Sequence, residues 1–238
     1  MLIAIPSKGR PTGVTSKFIL SSASVFVPEY EYESYKKAGV RNLMPVPASV
    51  KGITPTRNWI LNNTDEPHVV FVDDDVKKAG WINVLPNKME CIKMTEKEWI
   101  REFVRLFDIT EQMGGRVFGL ATMSAPRAVY PYKPFMFRSY LTASCMGMLN
   151  KPDFRFDERF VVKEDYELGL RCIKEDGFIV GARYLFWENS HWTYEGGCKD
   201  YRTQKNEMDA INRLKEMYPG MIRRVTRGGS NYSIHLEF

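Results

Sequence analysis

The chain has 238 residues, 44% of them hydrophobic and 26% charged, with a formal net charge of +5. That length suits one large α/β domain with its own core, and the composition excludes a disordered, collagenous or disulfide-built chain. The opening MLIAIPSKGRP meets a proline and charges almost at once, unlike a signal peptide, and no apolar run is long enough to span a bilayer, so a cytosolic protein is expected.

In chain order, LIAIP (2–6), SVFVP (24–28), HVVFVD (68–73), VFGLATM (117–123) and FIVGA (178–182) read as strands of mainly parallel, buried type, separated by helical patterns. The alternation predicts a single α/β domain over 1–238, a central mainly parallel mixed sheet flanked by helices. GITPTRNWILNN starts a helix at Thr54 and Pro55. TEKEWIREFVRLFDITEQMGG carries a capping box, Thr95 with Glu98, aligns Trp99, Phe103 and Leu106 on one face, and stops at Gly114. DYRTQKNEMDAINRLKEMYPG is amphipathic through Met208, Ile211, Leu214 and Met217 and is expected to pack on the sheet. Residues 124–147, crowded with prolines and aromatics, read as a loop or hairpin. Cys91, Cys145, Cys172 and Cys198 lie far apart with no C-x-x-C pair, which argues for reduced thiols rather than zinc or disulfides.

Asp73, Asp74 and Asp75 stand at the carboxyl end of an apolar strand, where open α/β sheets bind ligands. Adjacent carboxylates repel, so a cation is expected among them; hard oxygen donors suit Mg²⁺ or Mn²⁺. In an extended chain Asp73 and Asp75 share one side and Asp74 takes the other. The competing reading is a solvated acidic turn. Further on, Glu164 and Asp165 open a helix that continues through Leu168, Leu170 and Ile173, a place the helix dipole alone would favour. His191, in WENSHWTYEGG, follows the strand-like run YLFW. A lone histidine is as often a packing residue as a ligand.

Taken together, IPSKGRP, VFVDDDV, VVKEDYELGLRC and HWTYEGG resemble, in order and type, the nucleotide-sugar glycosyltransferases of the GT-A fold, and most closely the TET-associated glycosyltransferases. The resemblance spans roughly 1 to 197. It implies a Mn²⁺ or Mg²⁺ ion held by Asp75 and His191, with Asp73 shared between the ion and the ribose and Asp74 near the donor sugar. It also implies a nucleotide pocket lined by Pro6, Ser7, Arg10, Arg57 and Asn58. Asp165 is the implied general base, with Glu164 as its alternative. The implied reaction is inverting transfer from a nucleotide diphosphate sugar, a UDP-sugar, to a 5-hydroxymethylpyrimidine in DNA, in the cytoplasm of a phage-infected bacterium.

A DNA acceptor needs cations for phosphates and flat surfaces for bases. Arg127, Lys133 and Arg138, interleaved with Tyr130 and Tyr132, offer that mixture, although aromatics there equally suit a hairpin covering the sheet edge. Rival readings are a glycosyltransferase with a polysaccharide, protein or small-molecule acceptor, a nucleotidyltransferase, for which the first loop has too few glycines, and a non-catalytic nucleic-acid-binding domain.

Overall fold

The structure, a computed structural model, describes residues 1–85, 88–121, 133–138, 141, 143–189, 201–226 and 232–236. The five apolar runs form strands β1 (Leu2–Pro6), β2 (Ser24–Pro28), β4 (His68–Val72), β7 (Val117–Ala121) and β10 (Val180–Asn189). FIVGA and YLFW contribute to one strand, since β10 continues from Val180 through both runs to Asn189. Between them lie β3 (Leu43–Val46), β5 (Val76–Leu85), β6 (Lys88–Lys93), β8 (Phe135–Met136) and β9 (Cys145–Leu149). Helices are α1 (Tyr32–Lys37), α2 (Ile53–Asn62), α3 (Glu96–Gln112), α4 (Glu164–Glu175) and α5 (Gln204–Met217).

The strands make one ten-stranded sheet in the order β3-β2-β1-β4-β9-β7-β10-β5-β6, with β8 on β10; β11 (Ile222–Thr226) and β12 (Tyr232–Leu236) pair separately. The domain is therefore Rossmann-like α/β with a mixed sheet. Parallel pairing is confined to β3-β2-β1-β4 and β7-β10. The rest is antiparallel, because β9 enters reversed between β4 and β7 and the β5–β6 hairpin lies along β10. The expected mainly parallel sheet is thus corrected to an evenly mixed one. Residues 124–147 were expected as loop or hairpin, yet their last three begin β9, a strand buried along its whole length. Gly147 makes that position possible: a Cβ there would stand 2.0 Å from Cε1 of Phe118.

On one face, α3 lays Trp99, Phe103, Leu106 and Phe107 against the sheet, with Trp99 edge-on to Trp187 at 5.0 Å. Each such side chain contributes about 1.5–3 kcal/mol by leaving water. The predicted capping box is present at Thr95 and Glu98. On the other face α4 packs Leu168, Cys172 and Ile173 against Phe71, Met146 and Phe156. The expectation for α5 is corrected: Ala210, Ile211 and Leu214 join Phe160, Val162 and Leu170 in a separate cluster. This helix therefore rests on α4, the loop before it and the β11–β12 pair, not on the ten-stranded sheet. Cys145 and Cys172 are buried free thiols and Cys91 is an exposed one, while Cys198 lies outside the described residues. Among the described residues no helix is long and apolar enough to cross a membrane.

Candidate active site

The order β3-β2-β1-β4 places a topological switch between β1 and β4, and ligands bind in the crevice outside the carboxyl ends of strands at such a point. Pro6 ends β1 with Ser7 next in the chain, and Asp73 follows Val72 at the end of β4, so both motifs open on that crevice. The two residues before β9, the start of α4 and the end of β10 reach the same edge: Asp73 N–H donates to the Ser144 carbonyl at 3.0 Å, Ala143 N–H to Asp165, and Asn189 to Asp73.

The chain does not stay extended through the triplet. Asp74 and Asp75 form a turn into β5, held from below by the 3₁₀ turn Thr15–Phe18. There Ser16 Oγ donates to the Asp73 carbonyl and Ser16 N–H to the Asp74 carbonyl at 3.3 Å. The alternation that would put Asp73 and Asp75 on one side does not operate in this turn, although Asp75 stays near enough for its charge to act on Asp73. Asp74 and Asp75 share Arg10, whose Nη1 lies 2.9 Å from Asp74 Oδ1 and 3.6 Å from Asp75 Oδ2. Asp73 turns the other way, to Arg57 Nη2 at 3.6 Å and Asn189 Nδ2 at 2.8 Å. Of the acidic-turn reading the turn holds, but Asp74 and Asp75 are buried rather than solvated.

Asp74 also accepts a 2.5 Å hydrogen bond from Ser7 Oγ, which shares a 2.8 Å bond with the Tyr35 hydroxyl. Tyr35 in turn accepts from Arg10 N–H at 3.0 Å, and Glu31 accepts from Gly9 N–H at 2.6 Å. The SKGR loop is therefore clamped from α1 and the turn before it. Burial raises the Asp74 carboxyl against the pull of Ser7 and Arg10, and lifts the Tyr35 phenol to about 12.

Arg57 is the pivot on the opposite wall. It is 2% exposed, donates from Nη1 to Glu164 Oε1 at 2.7 Å, and lies over the rings of Phe156 and Phe71 at 5.5 and 5.8 Å. The start of α2 thus delivers Arg57 to a buried place between two carboxylates. Asn58, expected at the nucleotide, has both kinds of amide group engaged elsewhere. Its Nδ2 donates to the Phe156 carbonyl and to Glu158, and its Oδ1 accepts from Phe156 N–H. It latches the loop before α4, so the nucleotide contact expected of it is corrected to a structural one.

Asp165 accepts from Ala143 N–H at 3.3 Å and from Tyr166 N–H at 3.0 Å. Burial and neighbouring Glu164 push its carboxyl up to about 6, against the pull of Arg57. Asp73 keeps 35% of its side chain open, yet enclosure by protein on its other sides is the main cause that lifts it to about 7. Arg57 opposes that rise, and Asp75, Asp74 and Glu164 add to it. Carboxyls with these values give and take protons near neutrality.

Around the crevice the described carboxylates Asp73, Asp74, Asp75, Glu164 and Asp165 outnumber the guanidiniums of Arg10 and Arg57. The surplus of negative charge and the hard oxygen donors of Asp73 and Asp75 fit a divalent cation. One further atom fits as well: the buried Oδ1 of Asn189 accepts no hydrogen bond from any described residue. Among the described residues no three His, Cys, Asp or Glu side chains converge as a ready cage. Mg²⁺-like ions need none, since they commonly take one or two carboxylates and leave the rest to water and phosphate. His191 lies outside the described residues, as do Arg127, Tyr130 and Tyr132.

Lys133 and Arg138 are exposed, and Arg138 Nε reaches the Gly177 carbonyl at 3.4 Å. They flank β8, which pairs with Gly181 and Ala182 at the start of β10, whereas Asn189 at its end touches Asp73. Lys133 and Arg138 thus stand toward the opposite end of β10 from the crevice. Sequence reasoning missed Tyr35, Glu31 and Asn189. Their partners are distant in the chain, and only Asn189, two residues before the singled-out His191, carried any local signal.

The model of the TET-associated glycosyltransferase family matches residues 1–197. No curated protein matches the chain. Among solved structures, the mannosyltransferase PcManGT from Pyrobaculum calidifontis, in complex with GDP-Man and Mn²⁺, aligns with a TM-score of 0.56 at 12% identity, over 89% of this chain and 64% of that one. Glucosyl-3-phosphoglycerate synthase from Mycobacterium tuberculosis, with Mn²⁺, UDP and glucosyl-3-phosphoglycerate, gives 0.52 at 12% identity, over 99% and 86%. TarS 1-349 from S. aureus with UDP-GlcNAc gives 0.52 at 13% identity, over 90% and 67%. The chain spans 60% and 44% of two other TarS structures. At these identities the likeness is one of fold.

Proposed function

Because the chain belongs to the TET-associated glycosyltransferase family and is a glycosyltransferase, we propose that it is a single GT-A domain that moves a sugar from a nucleotide diphosphate donor, a UDP-sugar, to a 5-hydroxymethylpyrimidine in DNA, with inversion. The observation that carries this reading is the convergence of the acidic turn and Asp165 at the switch crevice between β1 and β4. Solved relatives in fold hold UDP-GlcNAc, or Mn²⁺ with UDP or GDP-Man, which supports the donor class.

In this reading Asp73 and Asp75, joined by His191, hold Mn²⁺ or Mg²⁺. The ion, when bound, offsets the charge that builds on the departing diphosphate. The chain's own residues do the rest. Arg57 fixes Asp73 and Glu164 relative to one another from beneath, and Arg10 with Ser7 locks Asp74 so that the turn keeps its shape. Pro6, Ser7 and Arg10 line the nucleotide side of the crevice. Asp165, with backbone N–H groups on both oxygens, takes the proton from the acceptor hydroxyl as it attacks the anomeric carbon. Direct attack with a base on the acceptor side inverts that centre. The 5-hydroxymethyl group projects into the major groove, where it is reachable without extruding the base.

The DNA acceptor rests on the family; a polysaccharide or small acceptor is the second reading, favoured by the distance of Lys133 and Arg138 from the crevice. Calorimetric titration of UDP and GDP with and without Mn²⁺ tests the donor half. Mn²⁺-dependent binding of one diphosphate supports it, and no binding of either removes it. Transfer from the matching labelled sugar nucleotide to hydroxymethylated DNA, against unmodified DNA and oligosaccharides, then decides the acceptor.

A further inference from the structure

Asn189 ends β10 where the register with β5 slips between Glu188 and Asn189, and the slip turns its side chain toward the acidic turn. Its Nδ2 donates to Asp73 Oδ2 at 2.8 Å, while Arg57 addresses the other oxygen, Oδ1. The Asp73 carboxylate is thus held in one orientation from both sides. The other half of the Asn189 amide is unusual. The residue is 8% exposed, and its Oδ1, closed to solvent, accepts no hydrogen bond from any described residue. A buried acceptor left unmet opposes folding, and an apolar side chain of the same shape would avoid that cost.

We propose that Asn189 is a positioning residue of the cation site: its amide hydrogen aims Asp73 at the ion, and its Oδ1 is matched only when an O–H donor arrives with the ion and the diphosphate. The inference rests on the reading of Asp73 as an ion ligand. It adds a neutral oxygen beside the carboxylates, which steers without adding to their mutual repulsion. Groups that orient a metal ligand commonly change metal affinity by 10–100-fold when removed.

Asn189→Leu separates this role from ordinary packing. Leu keeps the shape and removes the unmet acceptor, and water reaches Asp73 to replace the lost donor. Mn²⁺ affinity in the presence of UDP, read from the electron paramagnetic resonance signal of free Mn²⁺, should fall by about tenfold or more. The Tm without metal should stay level or rise. Unchanged affinity would overturn the proposal. If affinity and Tm fall together, Asn189→Asp decides. Its carboxylate facing Asp73 should lower the Tm without metal, and Mn²⁺ should restore it; failure of Mn²⁺ to do so also overturns the proposal. A wild-type protein that binds no Mn²⁺ with UDP removes the ion-site reading itself, a result visible before any variant is made.

Discussion

Replacing Arg57 by methionine isolates what its charge does. The side chain is 2% exposed, spans Glu164 at 2.7 Å and Asp73 at 3.6 Å, and lies over Phe156 and Phe71. Methionine fills a similar volume and packs well on aromatic rings, so most of the apolar contact survives. What is lost is the cation between two carboxylates. A surface pair would be worth about 0–1 kcal/mol, but breaking a buried pair costs about 3–5 kcal/mol because the partner is stranded. At about 2–4 °C per kcal/mol for a chain of this size, Tm should drop by roughly 6–20 °C. The loss should depend on pH. Asp73 already titrates at about 7 with Arg57 pulling it down, so without Arg57 it holds its proton to higher pH still. Urea unfolding at about pH 8 should show the full loss, and at about pH 5.5 a clearly smaller one. A loss under about 1 kcal/mol in alkali, or equal losses at both pH values, would refute the claim that Arg57 acts by neutralising these carboxylates.

The wild-type protein has its own pH signature. The folded values of Asp73 and Asp165, about 7 and about 6, lie above the ordinary carboxylate value. The native state then binds more protons than the unfolded one between roughly pH 4 and 7, so this part of the stability is present in acid and lost as pH rises through that window. Melting curves across that range should show it, and Mn²⁺ should flatten the slope if the ion sits at Asp73. Asp165→Asn should leave UDP binding nearly intact while the transfer rate falls by about 10²–10⁴; retained transfer would move the proton acceptor to Glu164 or elsewhere. Thr95→Ala removes one half of the α3 capping box and should cost about 1 kcal/mol in chemical denaturation with no change in nucleotide affinity.

Much of the scaffold was legible because its causes are local. The apolar runs at β1, β2, β4, β7 and β10 and the Thr95–Glu98 box each announce themselves within a few residues. The β5–β6 hairpin did not, since Lys77, Lys78 and Gly80 break any alternation near its start. Nor did β9, whose methionines and glycine read as no pattern until Phe118 is seen filling the space over Gly147. At the site, the sequence marked which acids gather but not how they divide. The turn at Asp74–Asp75, the sharing of Arg10, and the capture of Arg57 by Asp73 and Glu164 all depend on partners beyond the reach of a local pattern. Asn58 shows the converse, a residue whose type suggested a ligand contact while its neighbours in space assign it to holding a loop.

The support of α4 by α5 bears on where this molecule can be cut. Similarity to the family ends at residue 197, yet Lys163, the left-handed residue that starts α4, sets its buried ammonium 2.7 Å from Glu207 of α5. Phe160 and Leu170 likewise lean on Ile211 and Leu214. A protein ending at Gly197 would keep every motif by which its kinship is recognised. It would also strand a buried cation and bare an apolar seam one helical turn from Glu164 and Asp165. The stretch that descent has kept recognisable is therefore smaller than the stretch that must fold together, and a fragment drawn to the first boundary would be the right gene segment and the wrong piece of matter.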